Sequence, residues 1–303
     1  PEQARPAAVS MTFLQRLFGK TQSAGQSPDR IETAPLDPSV IDGAALSDRI
    51  LVGASQSTGV ERAHNEDALF SLIGSSSGEA AVPNFGLFVV ADGMGGHRSG
   101  EIASAISVRA VAQRLAKDTL LRLFESDGLL DGQPLQDQVR KALQEANNSV
   151  VSRVPGGGTT LTAALILGNQ VTIGHVGDSR AYAISNGQAK VLTRDHSLVK
   201  RLEELGQLTE AEAATHPQRN VLYKAIGQGA NLEVDVATHP IPRNGFLLIC
   251  SDGLWGVVPE DELLRIVWSA DHPQAACDEL VRAANSAGGP DNITVIMVYF
   301  PPA

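Results

Sequence analysis

Phe85-Gly-Leu-Phe-Val-Val-Ala-Asp92-Gly93-Met-Gly-Gly is an apolar run that ends on an aspartate and a cluster of glycines. Apolar without alternation and bounded by turn residues, it reads as a strand buried on both faces. Similar words recur at three other places: Val171-Thr-Ile-Gly-His-Val-Gly-Asp178-Ser-Arg, Phe246-Leu-Leu-Ile-Cys-Ser-Asp252-Gly253 and Gly288-Gly-Pro-Asp291-Asn-Ile-Thr-Val. The four are widely separated and are not internal repeats. Strands that meet an aspartate at one end imply carboxylates gathered along one edge of a sheet.

Outward from that strand, blocks of strand character alternate with pairs of helices. Ile50 to Gln56 and Ala68 to Ile73 are the first expected strands. Ser99 to Lys117 and Leu135 to Val151 have helical periodicity, with Asp127-Gly and Asp131-Gly as breakers between them. Four closely spaced strands are expected from Thr160 to Thr193, linked by the turn signals Gly168-Asn169 and Asn186-Gly187. Such spacing favours antiparallel pairing. Residues 195 to 230 contain short amphipathic helices, Leu198 to Leu205 and Glu210 to Thr215, and the chain then runs through a strand at Phe246, helices from Pro259 and Pro273, and a last strand from Ile293 to Phe300. Periodicity by itself yields a mixed α and β class.

Four carboxylates held close together raise one another's pKa, so a fold that assembles them needs a compensating cation. An all-oxygen donor set suits Mg²⁺ or Mn²⁺ better than zinc. Each aspartate alone also has an ordinary structural reading, because Asp-Gly forms turns and Asp caps helices. Their joint occurrence favours a metal centre.

The words around these aspartates, in order, resemble the PPM family of metal-dependent protein phosphatases, also called protein phosphatase 2C. The matching pieces are Arg62-Ala-His-Asn65-Glu66-Asp67, Asp92-Gly-Met-Gly-Gly96-His97, Gly158-Thr-Thr160, Gly177-Asp-Ser-Arg180, Asp195-His-Ser197, Ser251-Asp-Gly-Leu-Trp255 and Gly289-Pro-Asp-Asn292. The resemblance implies an α+β fold of four layers, two mainly antiparallel sheets packed face to face and flanked by helix pairs, with a flap over residues 195 to 230. It implies a bacterial serine/threonine protein phosphatase that hydrolyses phosphoserine and phosphothreonine by direct attack of a hydroxide bridging two Mn²⁺ or Mg²⁺ ions. Asp92 is expected to bridge the two ions, the Gly93 carbonyl to bind one, Asp252 and Asp291 to hold the other, and Glu66 to act through water. Asp178 with Asp252 is the candidate site for a third ion, and Arg62 is matched to the arginine that grips the substrate phosphate. Phosphorylated proteins are the expected substrates and a serine/threonine kinase the expected counterpart. The alternatives are a regulatory pseudophosphatase kept for binding, which predicts missing metal ligands, and a phosphatase acting on a small phosphorylated metabolite.

One departure concerns proton transfer: eukaryotic relatives have a histidine after the Asp-Gly pair, where this chain has Met94. His97, between glycine-rich turns, is a candidate acid whose ordinary reading is loop anchoring. The Gly93-Met-Gly-Gly96 loop lacks the lysine of a phosphate-binding P-loop and the full dinucleotide fingerprint. Its glycines serve backbone freedom.

The 303 residues are 43% hydrophobic and 19% charged, enough for a large core. A formal charge of −10 offers no basic footprint for nucleic acid. Cys250 and Cys277 make neither a disulfide framework nor a zinc pattern and read as core thiols of a reducing compartment. No apolar stretch is long enough to span a bilayer and no secretory leader is evident, so the expectation is a cytoplasmic monomer. Residues 1–47 have the composition of a linker, with Phe13, Leu14, Leu17 and Phe18 on one face of a short helix. The catalytic domain is expected over 48–303.

Overall fold

Alternation along the strands sets the layering. In the computed structural model, which describes residues 50–75, 82–95, 98–124 and 134–302, the strand Phe85–Ala91 (β3) is buried along its whole length. Leu87, Val89 and Ala91 join one hydrophobic layer, while Phe88 and Val90 join another. The last strand, Ile293–Phe300 (β12), divides in the same way: Ile293, Val295 and Met297 go to one side, and Ile296, Val298 and Phe300 to the other. Apolar runs without alternation are therefore strands with two covered faces. Each fully buried Leu, Ile, Phe or Val contributes roughly 1.5–3 kcal/mol, so a one-residue slip of register would be costly.

The remaining strands are Leu51–Ser57 (β1), Ala68–Gly74 (β2), Gly93–Met94 (β4), Gly158–Thr159 (β5), Leu161–Leu167 (β6), Gln170–Val176 (β7), Arg180–Ser185 (β8), Gln188–Val191 (β9), Asp235–Pro240 (β10) and Gly245–Cys250 (β11). One five-stranded sheet has the order β1-β12-β11-β8-β9, the other β10-β7-β6-β3-β2, and every pairing is antiparallel. The layer containing Phe88, Ile166, Leu247 and Val298 lies between the two sheets.

Helices Arg98–Leu115 (α1) and Leu135–Arg153 (α2) pack on each other and cover the second sheet, through Val111, Leu115, Val139 and Leu143. Glu260–Ser269 (α6) and Pro273–Ser286 (α7) cover the first, through Ile266, Val267, Cys277 and Leu280. Pro273 stands at the start of α7, where its missing N–H costs nothing, and the His272 side chain accepts the Gln274 N–H. The result is the expected four-layer α+β architecture.

Two features go beyond the sequence reading. The four strands between Thr160 and Thr193 are two hairpins on different sheets: β6 pairs with β7, β8 with β9, and the chain changes sheet at Gly177-Asp178-Ser179. The turn signals themselves hold, with Gly168 at φ 60°, Asn186 at 52° and Gly187 at 74°. Strand β10, at the edge beside β7, was not foreseen. Residues 195 to 230 carry the short helices Leu198–Glu204 (α3) and Glu210–Ala214 (α4), the latter opened by a capping box between Thr209 and Glu212. His97, residues 125–133 with their Asp-Gly breakers, and the N-terminal stretch with Phe13, Leu14, Leu17 and Phe18 lie outside the described residues.

Candidate active site

Antiparallel register brings the strand ends to a common edge. Ala68, the first residue of β2, pairs with Ala91, the last of β3, so Asp67 flanks Asp92. Ser57 at the end of β1 pairs with Ile293 at the start of β12, and Cys250 at the end of β11 pairs with Val295. Arg62, Asp252 and Asp291 follow or precede those residues closely. Asp178 occupies the sheet-changing turn, and Asp252 opens the short helix Asp252–Trp255 (α5).

Several hydrogen bonds fix this edge. Asp92 N–H donates to Thr160 Oγ1 at 2.9 Å, and its carbonyl accepts from Thr160 N–H and Thr159 Oγ1, each at 2.8 Å. Thr160 Oγ1 lies 2.8 Å from Ser179 Oγ, tying the end of β3 to the turn that carries Asp178. The Asp178 carbonyl accepts from Trp255 Nε1 at 3.0 Å. The Asn292 side chain spans the loop after β1: Nδ2 donates to the carbonyls of Thr58 and His64, and Oδ1 accepts the Glu66 N–H at 2.7 Å. Gly93 and Gly100 allow a close approach, since a Cβ at Gly93 would collide with the Gly100 carbonyl and one at Gly100 with the Glu66 carboxylate. Glu66 thereby lies over the first turn of α1.

The electrostatics are those of crowded acids. Asp92 and Asp252 are neighbours within this cluster. Although both residues keep some solvent exposure, burial is the main influence on each. Burial, then the charges of Asp67, Asp252, Asp178 and Asp291, push Asp92 well above the usual carboxylate range. Burial and Asp291 push Asp252 up to about 6. Burial, then Asp252 and Asp195, raise Asp178. Burial raises Asp67 to about 7, against hydrogen bonds from Thr294 Oγ1 at 2.6 Å and Ser251 Oγ at 2.9 Å. Asp67, to which the sequence assigns no role, belongs to the same cluster.

These residues suit a hard cation. The donors are all oxygens, and Asp67 Oδ1 and Asp252 Oδ1 are buried with no hydrogen-bond partner among the described residues. No three acidic, histidine or cysteine side chains among the described residues close around a single point. At Asp291 the counter-charge is Arg62, whose Nη2 lies 2.6 Å from Oδ2. Burial of the carboxylates costs several kcal/mol per uncompensated charge, so a divalent ion drawing them together relieves the larger penalty.

Beside the carboxylates lies a cleft of about 590 Å³, lined by Asp178, Asp252 and Asp291 on one side and by Ser197, Lys200 and Arg219 of the 195–230 segment on the other. Arg180 forms one wall, its guanidinium 3.6 Å over the Trp255 ring and forked onto Asp195, with Nη2 to Oδ2 at 2.7 Å. Met94 pairs with Gly158 in the β4–β5 ribbon and brings no proton donor to the site.

The family model described as protein phosphatase 2C matches residues 57–283. The chain belongs to the protein phosphatase 2C family. It is 39% identical over 218 residues to the serine/threonine phosphatase stp of Listeria welshimeri, a match spanning 70% of this chain and 83% of that one. The S. agalactiae serine/threonine phosphatase structure superposes with a TM-score of 0.71 at 32% identity, covering 83% of this chain and 100% of that one. The catalytic domain of the serine/threonine phosphatase PstP, in complex with two manganese ions, superposes with a TM-score of 0.67 at 28% identity, covering 83% and 98%. Within this protein phosphatase 2C chain, Asp92, Asp252, Asp291 and Arg62 are all present, against the pseudophosphatase alternative. No helix among the described residues is long and apolar enough to cross a membrane.

Proposed function

We infer that this chain is a metal-dependent protein serine/threonine phosphatase, transferring the phosphoryl group of phosphoserine or phosphothreonine directly to water. The observation that carries this reading is the crowding of the buried Asp92 and Asp252 carboxyls with Asp67, Asp178 and Asp291, with Arg62 on the rim of the cluster. Asp92, the Gly93 carbonyl, Asp252 and Asp291 would hold two ions, with Glu66 reaching one through water and Asp178 with Asp252 holding a third. Bound there, Mn²⁺ or Mg²⁺ supplies a lowered pKa for water and charge neutralisation at the phosphoryl oxygens.

The chain's own groups do the rest. Arg62, half-exposed and held by a rim carboxylate, is free to fork onto two phosphate oxygens. The phosphorus–oxygen bond to the substrate side chain breaks, and the leaving alkoxide takes its proton from solvent or another acid, because Met94 has none to give. A thiol nucleophile is disfavoured physically: burial pushes both Cys250 and Cys277 up to about 12. The cleft, walled partly by residues 195–220, suits a phosphorylated segment of a protein better than an enclosed metabolite. Further parts of the reading are a catalytic domain over 48–303 with an N-terminal extension, a monomer, a cytoplasmic setting and a cognate serine/threonine kinase.

The test is phosphate release from matched phosphoserine, phosphothreonine and phosphotyrosine peptides with Mn²⁺, with Mg²⁺ and with EDTA, using Asp252→Asn as the blank. Release from the first two peptides that needs metal and vanishes in the variant is expected. Silence with every metal from a folded protein would transfer the function to binding alone.

A further inference from the structure

Behind the Asp178 turn lies a buried polar cluster that the reaction itself does not use. Its centre is His196, 1% exposed, at the root of the 195–230 segment. His196 grips one residue twice: its N–H donates to the Gly177 carbonyl at 2.7 Å, and its Nδ1 accepts the Gly177 N–H at 3.0 Å. An Nδ1 that accepts from an amide puts the ring proton on Nε2, which donates to Asp235 Oδ2 at 3.0 Å. Asp235 is fixed in turn by Lys224 Nζ at 3.0 Å. The His196 carbonyl accepts the Tyr223 N–H at 3.0 Å, so the far end of the segment is tied to the same residue. The rings of His175 and Tyr223, 5.0 and 5.6 Å away, complete the packing.

Gly177 has φ +111°, and a Cβ there would stand 2.6 Å from the Thr160 side chain. The turn has no side chain at this position with which to anchor itself, and both of its polar backbone atoms go to His196. Asp178 is the next residue, and Ser179 is bound to the Thr160 hydroxyl that receives the Asp92 N–H.

We propose that His196 is a positioning residue whose Nδ1 and main chain clamp Gly177 to the root of the 195–230 segment and so fix the Asp178 carboxyl beside Asp252. Asp235 and Lys224 hold the ring in the tautomer that accepts. Movement of the segment is thereby transmitted first to Asp178; the Asp92 backbone, also held by Thr159 Oγ1 and the Thr160 N–H, feels it only indirectly, through the Ser179–Thr160 hydrogen bond. The consequence for metal rests on the reading of Asp178 as ligand to a third ion.

Two near-isosteres separate the functions of the ring. His196→Asn keeps an acceptor close to the Nδ1 position, and His196→Gln keeps a donor toward Asp235 but removes the acceptor beside Gly177. In the full chain with EDTA, amide exchange at Gly177 is expected to speed up at least tenfold in His196→Gln and to stay near wild type in His196→Asn, with residues 85–91 unchanged in both. In Mn²⁺ titrations by calorimetry, His196→Gln weakens the last binding step about tenfold, as Asp178→Asn does, and leaves the earlier steps alone. Equal exchange in the two variants, or acceleration spread evenly across the chain, overturns the clamp. Should Asp178→Asn leave every Mn²⁺ step unaltered while Gly177 still distinguishes Gln from Asn, the clamp stands and the third-ion role of Asp178 falls.

Discussion

Arg62 Nη2 lies 2.6 Å from Asp291 Oδ2, and Arg62 Nε lies 3.4 Å from the Pro290 carbonyl, so the guanidinium assigned to substrate phosphate is paired with a carboxylate assigned to metal. The arginine side chain is 50% exposed and the aspartate 24%. A pair this open contributes little to stability, about 0–1 kcal/mol, and is easily exchanged. Phosphate and divalent cation can therefore each claim one partner, and the pair works as a stand-by arrangement rather than a structural lock.

Arg62→Ala is accordingly expected to raise KM for a phosphopeptide by roughly 10- to 100-fold, the loss of a charge-assisted hydrogen bond of about 1.5–3 kcal/mol. Mn²⁺ affinity should be unchanged or slightly tighter, because the competitor for Asp291 is gone. Steady-state kinetics alongside calorimetric Mn²⁺ titration decide this; an unchanged KM with weakened Mn²⁺ binding would make Arg62 a metal-site support instead.

The raised carboxyls predict an unusual pH dependence for the metal-free protein. Asp67 and Asp252 titrate at about 7 and 6 in the fold, above their ordinary 3.8, and Asp92 and Asp178 are raised as well. Between pH 4 and 7, taken roughly, these acids bind more protons in the folded state than in the unfolded state and make stability fall as pH rises, while the histidines lowered by burial, above all His175 at about 3, offset part of that slope. In EDTA, Tm should drop by several degrees from about pH 5 to about pH 7.5. Saturating Mn²⁺ should remove or reverse that slope, since the ion binds the deprotonated acids. The acid contribution is read as the difference in calorimetric slope between wild type and Asp67→Asn; an identical metal-free slope in the two would contradict the carboxylate crowding at Asp67.

Removing one charge tests the same crowding from the other side. Asp92→Asn and Asp252→Asn should each lower turnover by at least about a thousandfold while leaving the fold intact, the scale expected when electrostatic stabilisation of the transition state is lost. Each metal-free variant should also melt at or above the wild-type temperature at pH 7.5, because a neutral amide replaces a repelled carboxylate. Retained activity in either variant would remove that residue from the metal centre.

The sites were legible where chemistry and strand ending coincide. Asp92, Asp178 and Asp252 each follow an apolar run, and Asp291 precedes one, so their convergence on a sheet edge could be read from the chain. Asp67 could not be singled out: its partners Ser251 and Thr294 lie 184 and 227 residues away, and beside Glu66 it looks like an ordinary polar residue before a strand. The change of sheet between β7 and β8 was hidden for a similar reason. Gly177-Asp178-Ser179 has the length of a hairpin turn, and the packing of Gly177 against Thr160 that redirects it is non-local. Strand β10 mixes Asp, Thr, His and Pro at a sheet edge and carries little alternation to read.

Gly100 offers a test of metal-site geometry that changes no ligand. In helix α1 its Cα faces the Glu66 carboxylate and the Gly93 backbone, and an added Cβ would collide with Glu66 Oε2 and stand 2.9 Å from the Gly93 carbonyl carbon. Elsewhere in a helix Gly→Ala gains about 1 kcal/mol of propensity. Here that gain is opposed both by displacement of the Glu66 side chain and by a shift of the Gly93–Met94 backbone, so the metal-free Tm of Gly100→Ala should fall below that of wild type. Glu66 cannot keep its position, and Mn²⁺ affinity should fall about tenfold, the scale seen when a group orienting a metal site is disturbed. Pairing Gly100→Ala with Glu66→Gln gives the decisive comparison: the double variant should bind Mn²⁺ no worse than Glu66→Gln alone. Additive losses would mean that Gly100 acts through the Gly93 backbone rather than through Glu66.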